Sequence, residues 1–203
     1  MQAPRIIYGT AWKKTDTPRL VFEALSAGFR GIDTACQPRH YREDLVGAGL
    51  AQAIVKGVVK REEVFLQTKF SPIDAHDAST IPYDPKAAIE DQVRTSVQVS
   101  LKNLQTSYID SIVLHSPLPT LELTVRAWKV LEEFVDQGII HQLGVSNEYN
   151  ASRFQQLYEA VRVKPKALQN RRCRTDSTQT VGTIKSCASF ALLMVLRINP
   201  SGP

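Results

Sequence analysis

Several short, largely apolar runs in this sequence end in residues able to do chemistry. Residues 29–32 end at Asp33, and a phenol, Tyr41, follows eight residues later, past Pro38. Residues 64–68 end at Lys69, residues 109–114 at His115, residues 139–145 at Ser146-Asn147, and Ala167-Leu168 at Gln169-Asn170. A buried strand delivers polar groups to its C-terminal end in this way. If the strands share a rim, Asp33, Tyr41, Lys69 and His115 meet. A phenol near an ammonium has its anionic form stabilised, and a carboxylate holds the ammonium in place. An imidazole alongside can hydrogen-bond a carbonyl oxygen. The set is a proton donor aimed at a polarised C=O. No Ser or Cys stands obviously paired with a base, which points away from acyl transfer and toward carbonyl reduction.

Each residue also has a plainer reading. Lys69 and Asp33 could be a structural ion pair. His115 could be a satisfied strand-end histidine, and Tyr41 a loop aromatic. Ser146-Asn147 could be a helix cap. Cys36 reads as a small buried residue and His76, in a loop, as solvated. The functional case rests on the co-occurrence of these groups at strand ends.

The elements that must position them alternate. Residues 6–8 read as a first strand. Thr15-Asp16-Thr17-Pro18 reads as a helix start, with a capping side chain and then a proline where its missing N–H costs nothing. Further helices are expected from Glu43, from Asp84 as cap, from Thr120 and from Asn150, with Gly28, Gly57 and Gly138 as helix ends. Residues 71–85 form a loop rich in Pro, Asp and Ser. Strand-helix alternation predicts parallel strands with helices outside and all strand C-termini on one rim. In a (β/α)8 barrel that rim is the catalytic face. A doubly wound open sheet is the second choice, but Gly9-Thr10-Ala11-Trp12 stands where its Gly-rich fingerprint should be.

Bulk properties narrow the rest. The 203 residues, 43% hydrophobic and 22% charged, suit one globular domain. No apolar run approaches the ~18 residues of a membrane span, and residues 1–5 carry no signal-peptide core. Three scattered Cys make neither a disulfide framework nor a zinc spacing, so a reducing, cytoplasmic setting is expected. The net charge of +5 is concentrated late. Arg171, Arg172, Arg174, Lys185 and Arg197 face Asp176 alone in residues 171–203. The nearly neutral remainder gives no sign of nucleic-acid binding.

The chain resembles the aldo-keto reductase family. The resemblance is carried by Gly9-Thr10-Ala11-Trp12, by residues 28–35 (GFRGIDTA), by Tyr41 with Glu43 and Val46-Gly47, by Gln67-Thr68-Lys69-Phe70, Leu114-His115-Ser116-Pro117, Gly144-Val145-Ser146-Asn147 and Gln169-Asn170. It implies an α/β fold, a (β/α)8 TIM-type barrel, and reduction of aldehydes and ketones to alcohols with NADPH or NADH. It implies Tyr41 as general acid, Lys69 and Asp33 tuning it, and His115 orienting the carbonyl of a small-molecule substrate. The nicotinamide amide would lie on Ser146, Asn147 and Gln169, with Asp33 and Thr10 near its ribose. Trp12 would line the substrate pocket. The family's Asp-to-Tyr interval is shorter, so Gln37-Pro38-Arg39 reads as a local insertion.

The resemblance stops at Asn170. Residues 171–203 show neither the expected next helix and strand nor the groups that grip the adenosine end of the cofactor. The expectation is therefore an incomplete barrel over residues 1–170, with about six parallel strands and outer helices, followed by a divergent tail. Strands one and six would be unpaired edges unless residues 188–198 covered the opening as a helix or an added strand. The alternative functional reading is a catalytically inactive truncated isoform or gene-model fragment with weak or no cofactor binding.

Overall fold

Among the described residues, each of the five α-helices crosses over between two neighbouring parallel strands. The structure, a computed structural model, describes residues 3–171 and 193–197. The order is β1 (Tyr8–Gly9), α1 (Thr17–Ser26), β2 (Gly31–Asp33), α2 (Glu43–Val55), β3 (Phe65–Phe70), α3 (Ile89–Leu104), β4 (Ser111–Leu114), α4 (Leu121–Asp136), β5 (Leu143–Ser146), α5 (Ala151–Ala160), β6 (Ala167–Arg171) and β7 (Leu193–Arg197). Strands β1 to β6 pair in sequence order, all in parallel. This is an incomplete (β/α)8 barrel. Parallel neighbours joined by helices put every strand C-terminus on one rim.

β7 departs from the barrel pattern. It pairs antiparallel with β6, Gln169 opposite Val195. β6 is therefore not an open edge, while β1 is paired on one side only among the described residues. An added strand thus covers the edge of β6. The rest of the expected divergent tail, residues 172–192 and 198–203, lies outside the described residues. No described helix is long and apolar enough to cross a membrane.

The apolar stripes of the helices become the core. Val93 and Val97 of α3 and Trp128 and Leu131 of α4 pack on Ile112, Leu114, Leu143 and Val145 of the sheet. Trp128 is fully buried, and its indole N–H donates to the Val163 carbonyl (2.9 Å). A second cluster joins Val21 and Leu25 of α1 to Val46 and Leu50 of α2 over Ile32 and Leu66. Here α2 lies close to its neighbours because it carries glycine. A Cβ on Gly49 would sit 2.7 Å from the Pro18 carbonyl oxygen, and one on Gly47 would collide with the Asn103 carbonyl. The opposite rim is tied by Arg61, which bonds Asp110 (2.9 Å) and the Tyr108 carbonyl (2.9 Å).

Some boundaries differ from the sequence reading. The first strand is Tyr8–Gly9 instead of residues 6–8. Asp16 makes no side-chain cap on α1, which is entered through a 3-10 turn at Lys14–Asp16. α3 starts at Ile89, because Asp84 instead accepts from the Lys86 N–H (2.9 Å) within a turn. Thr120 and Asn150 do cap their helices, accepting from the N–H groups of Leu123 (3.1 Å) and Arg153 (3.0 Å).

Glu43 opens α2 with its carboxylate buried between Thr68 (2.5 Å) and Asn103 (3.2 Å). Burial raises its pKa, and the hydrogen bonds only partly oppose that. As pH rises through the ordinary carboxylate pKa, the unfolded chain releases this proton while the folded chain keeps it. Stability should therefore fall with rising pH until the raised folded pKa is passed. Glu43→Gln is expected to flatten that slope in denaturation series across pH. An identical slope in the variant would contradict the assignment.

Candidate active site

β2 and β3 place the first two groups. Asp33 is the last residue of β2 and pairs with Gln67 of β3. Lys69 lies two residues beyond Gln67, so both side chains share one face of the strand. Both charged groups are almost fully buried, Asp33 at 3% and Lys69 at 2% exposure. Lys69 Nζ donates to both Asp33 carboxylate oxygens (2.6 and 2.7 Å) and to the Thr34 carbonyl (2.7 Å). The Gln67 side-chain amide adds a bond to Asp33 Oδ1 (2.8 Å). Burial works against the ammonium, but the charge of Asp33 and then Tyr41 more than offset it. The Lys69 pKa ends above the ordinary lysine value, so the group stays cationic.

Tyr41 does not sit on a strand. Residues 37–41 fold back in one tight turn, with the Tyr41 and His40 N–H groups both donating to the Gln37 carbonyl (3.0 and 3.1 Å). The Gln37 side-chain amide ties that turn to the Ala75 carbonyl (2.8 Å). This turn carries Tyr41 back toward Lys69. Lys69 Nζ lies 5.0 Å from the phenol ring centroid, close enough for the two groups to act on each other's charge.

His115 is the first residue after β4, and its N–H donates to the Phe70 carbonyl (2.9 Å). Its ring meets that of Tyr41 edge-on, with centroids 5.9 Å apart. Asn147 follows β5 in a left-handed conformation (φ 53°) and donates its side-chain amide to the His115 carbonyl (2.7 Å). The hydroxyl of Ser146 donates to the Gln169 carbonyl (2.7 Å). Thr10 gives both its N–H and its hydroxyl to the Asp33 carbonyl (3.0 and 2.9 Å). The strand ends and the turn at residues 37–41 thus bring together Thr10, Asp33, Tyr41, Lys69, His115, Ser146, Asn147 and Gln169, and the last of the candidates is Trp12. That residue stands at the mouth, 62% exposed, with its ring on His40 (centroids 4.1 Å apart).

A cleft of about 270 Å³ opens between these groups, lined by Trp12, Gln37, His40, Tyr41, His115 and Asn147 among others. A polar network lies inside the barrel. Gln67 donates to Gln169 Oε1 (3.0 Å) as well as to Asp33, and Ser111 donates to Gln67 Oε1 (3.0 Å). The other end of the Gln169 amide, Nε2, is buried with no hydrogen-bond partner among the described residues. Gln67, Ser111 and Ser71 were given no role in the sequence reading, although Gln67 stands in one of the motifs quoted there. The signal for Gln67 was its two-residue spacing from Lys69. His76 was read as solvated, but it is buried (8%) and its Nε2 bonds the Ser71 carbonyl (3.1 Å).

Known proteins resemble this chain in sequence and in fold. The profile described as "Aldo/keto reductase family" matches residues 5–192. An uncharacterised oxidoreductase of Schizosaccharomyces pombe is 35% identical over 159 residues, covering 78% of this chain and 50% of that protein. Methylglyoxal reductase DkgA of Escherichia coli is 34% identical over 143 residues, covering 70% and 44%. Among solved structures, aldo-keto reductase AKR2E4 of Bombyx mori in complex with NADP superposes with a TM-score of 0.69 at 28% identity, covering 84% of this chain and 55% of that one. Aldose reductase of Schistosoma japonicum does so with a TM-score of 0.69 at 26% identity, covering 85% and 58%. The chain spans about half the length of the curated relatives it matches. With the profile matched over most of the sequence and the parallel-strand rim in place, the chain belongs to the aldo/keto reductase family.

Proposed function

We propose that the chain reduces the carbonyl group of a small aldehyde or ketone to an alcohol, with NADPH as cofactor. The observation that carries this reading is the buried Asp33–Lys69 pair lying against a phenol, Lys69 Nζ 5.0 Å from its ring centroid, at the wall of an open cleft. When bound, the dihydronicotinamide supplies a hydride. The chain supplies the rest. Tyr41 donates its hydroxyl proton to the carbonyl oxygen, and the phenolate left behind is held by the Lys69 ammonium. Asp33 keeps that ammonium charged and in place. His115 hydrogen-bonds the carbonyl oxygen and orients it toward the phenol.

The residues fit a carboxamide on the cofactor. Gln169 Nε2 is a buried donor in need of an acceptor, which a carboxamide oxygen provides. Ser146 Oγ, with its proton committed to the Gln169 carbonyl, is left as an acceptor for a carboxamide N–H. Asn147 extends this strand-end surface, and Thr10 and Asp33 border the ribose. Trp12 lines the substrate entrance.

The second reading, an inactive fragment with weak or no cofactor binding, draws on the fact that only about half of each relative's length is matched. Fluorescence titration of the purified chain separates the two. Saturable binding of NADPH is the expected result, and a flat titration would reject the enzymatic reading. Parallel titration with NADH reads the preference between the two cofactors.

A further inference from the structure

We propose that Ser71 is a positioning residue that fixes His115 in the tautomer protonated at Nε2, so that the imidazole enters the cleft as a hydrogen-bond donor. The role in reduction rests on the function proposed above; the tautomer itself does not.

Ser71 is the first residue after β3 and His115 the first after β4, and the backbone bond from His115 N–H to the Phe70 carbonyl aligns the two strand ends. Ser71 Oγ lies 2.7 Å from His115 Nδ1. Ser71 is fully buried, and Nδ1 is the one partner of its hydroxyl among the described residues. A buried hydroxyl proton needs an acceptor. With no other acceptor in reach, it points at Nδ1, which must then be the bare nitrogen of the neutral ring. The N–H is left on Nε2. The reverse arrangement, with Nδ1–H donating to Ser71, would strand the hydroxyl proton.

Ser71 is itself held firmly. Its carbonyl accepts from the buried Tyr83 hydroxyl (2.6 Å) and from His76 Nε2 (3.1 Å). Tyr83 in turn stacks on Phe70 (ring centroids 5.7 Å apart). His115 is fixed independently through its backbone, since its carbonyl takes the Asn147 amide. A rigid hydroxyl facing a rigid ring sets which nitrogen carries the proton, and hence which end can donate. A donor at Nε2 can polarise a substrate carbonyl, whereas a bare Nε2 would repel its oxygen.

The test is 15N NMR of the histidine ring nitrogens in the full chain, with His115 assigned by difference against His115→Gln. In the wild type, neutral His115 should show a protonated Nε2 and a bare, hydrogen-bonded Nδ1. Ser71→Ala should mix the two tautomers. It should also lower kcat about tenfold while leaving the NADPH Kd within about twofold. A wild-type ring protonated at Nδ1, or ring signals unchanged by Ser71→Ala, would overturn the proposal. A chain without turnover whose tautomer still depends on Ser71 would refute the enzymatic reading and leave the Ser71 assignment standing.

Discussion

Tyr41→Phe is expected to lower kcat/KM for aldehyde reduction by about 10²- to 10⁴-fold, the range supplied by a positioned general acid. The substitution removes one oxygen. The ring stays in its place against His115, and the turn that carries it is held by backbone bonds to Gln37 that the side chain does not touch. Lys69 keeps its bonds to Asp33 and Thr34. NADPH affinity should therefore change little, because the groups proposed to hold the nicotinamide lie on β5 and β6. The expected signature is a loss of the chemical step with cofactor binding intact. Loss of both together would instead mean that the phenol is structural.

Lys69→Met should have the largest effect on stability, with unfolding free energy falling by about 3–5 kcal/mol, since breaking a buried ion pair leaves an uncompensated charge. Among the described residues, Asp33 would keep Gln67 as its one side-chain donor at the centre of the barrel. The double variant Asp33→Asn, Lys69→Met should recover much of that loss, because neither charge is then left alone. Urea unfolding of the wild type, the two single variants and the double variant measures the coupling. Strictly additive losses would show that the two charges do not support each other. Both Lys69 variants should be catalytically impaired whatever their stability, because the phenolate loses its counter-charge.

Much of this site was legible because strands are simple objects. A run of apolar residues that stops at a charged one is readable without knowing what surrounds it, and Asp33, Lys69 and His115 were found that way. Ser146 and Gln169 follow the same rule. Tyr41 is different in kind. Its position depends on the turn at residues 37–41 and its tie to Ala75, which no periodicity encodes; its role was read from the chemistry of a phenol near an ammonium, and the resemblance to a family implied the same role. Gln67 was overlooked because it was read as part of a buried strand, although its alternation with Lys69 puts both on the barrel interior.

The misreadings have a common cause. Asp84 and His76 lie in a polar loop whose composition suggests solvent and helix caps. Tertiary contacts claim that loop instead. His76 and Tyr83 both turn inward to the Ser71 carbonyl, and Asp84 serves a local turn. The start of α3 shifts to Ile89 accordingly. The pairing of Leu193–Arg197 with β6 is likewise a long-range event that local pattern left open between helix and strand.

The central claim is that the rim where Asp33, Tyr41, Lys69 and His115 meet reduces a carbonyl with Tyr41 as the proton donor. Its most direct test is NADPH oxidation by the purified chain with a simple aromatic aldehyde, run side by side for the wild type and Tyr41→Phe, with the alcohol product quantified. Aldehyde-dependent oxidation matched by alcohol in the wild type, and lost in the variant, is the predicted result. Equal turnover by the two proteins, or NADPH binding with no aldehyde-dependent oxidation in the wild type, would contradict it.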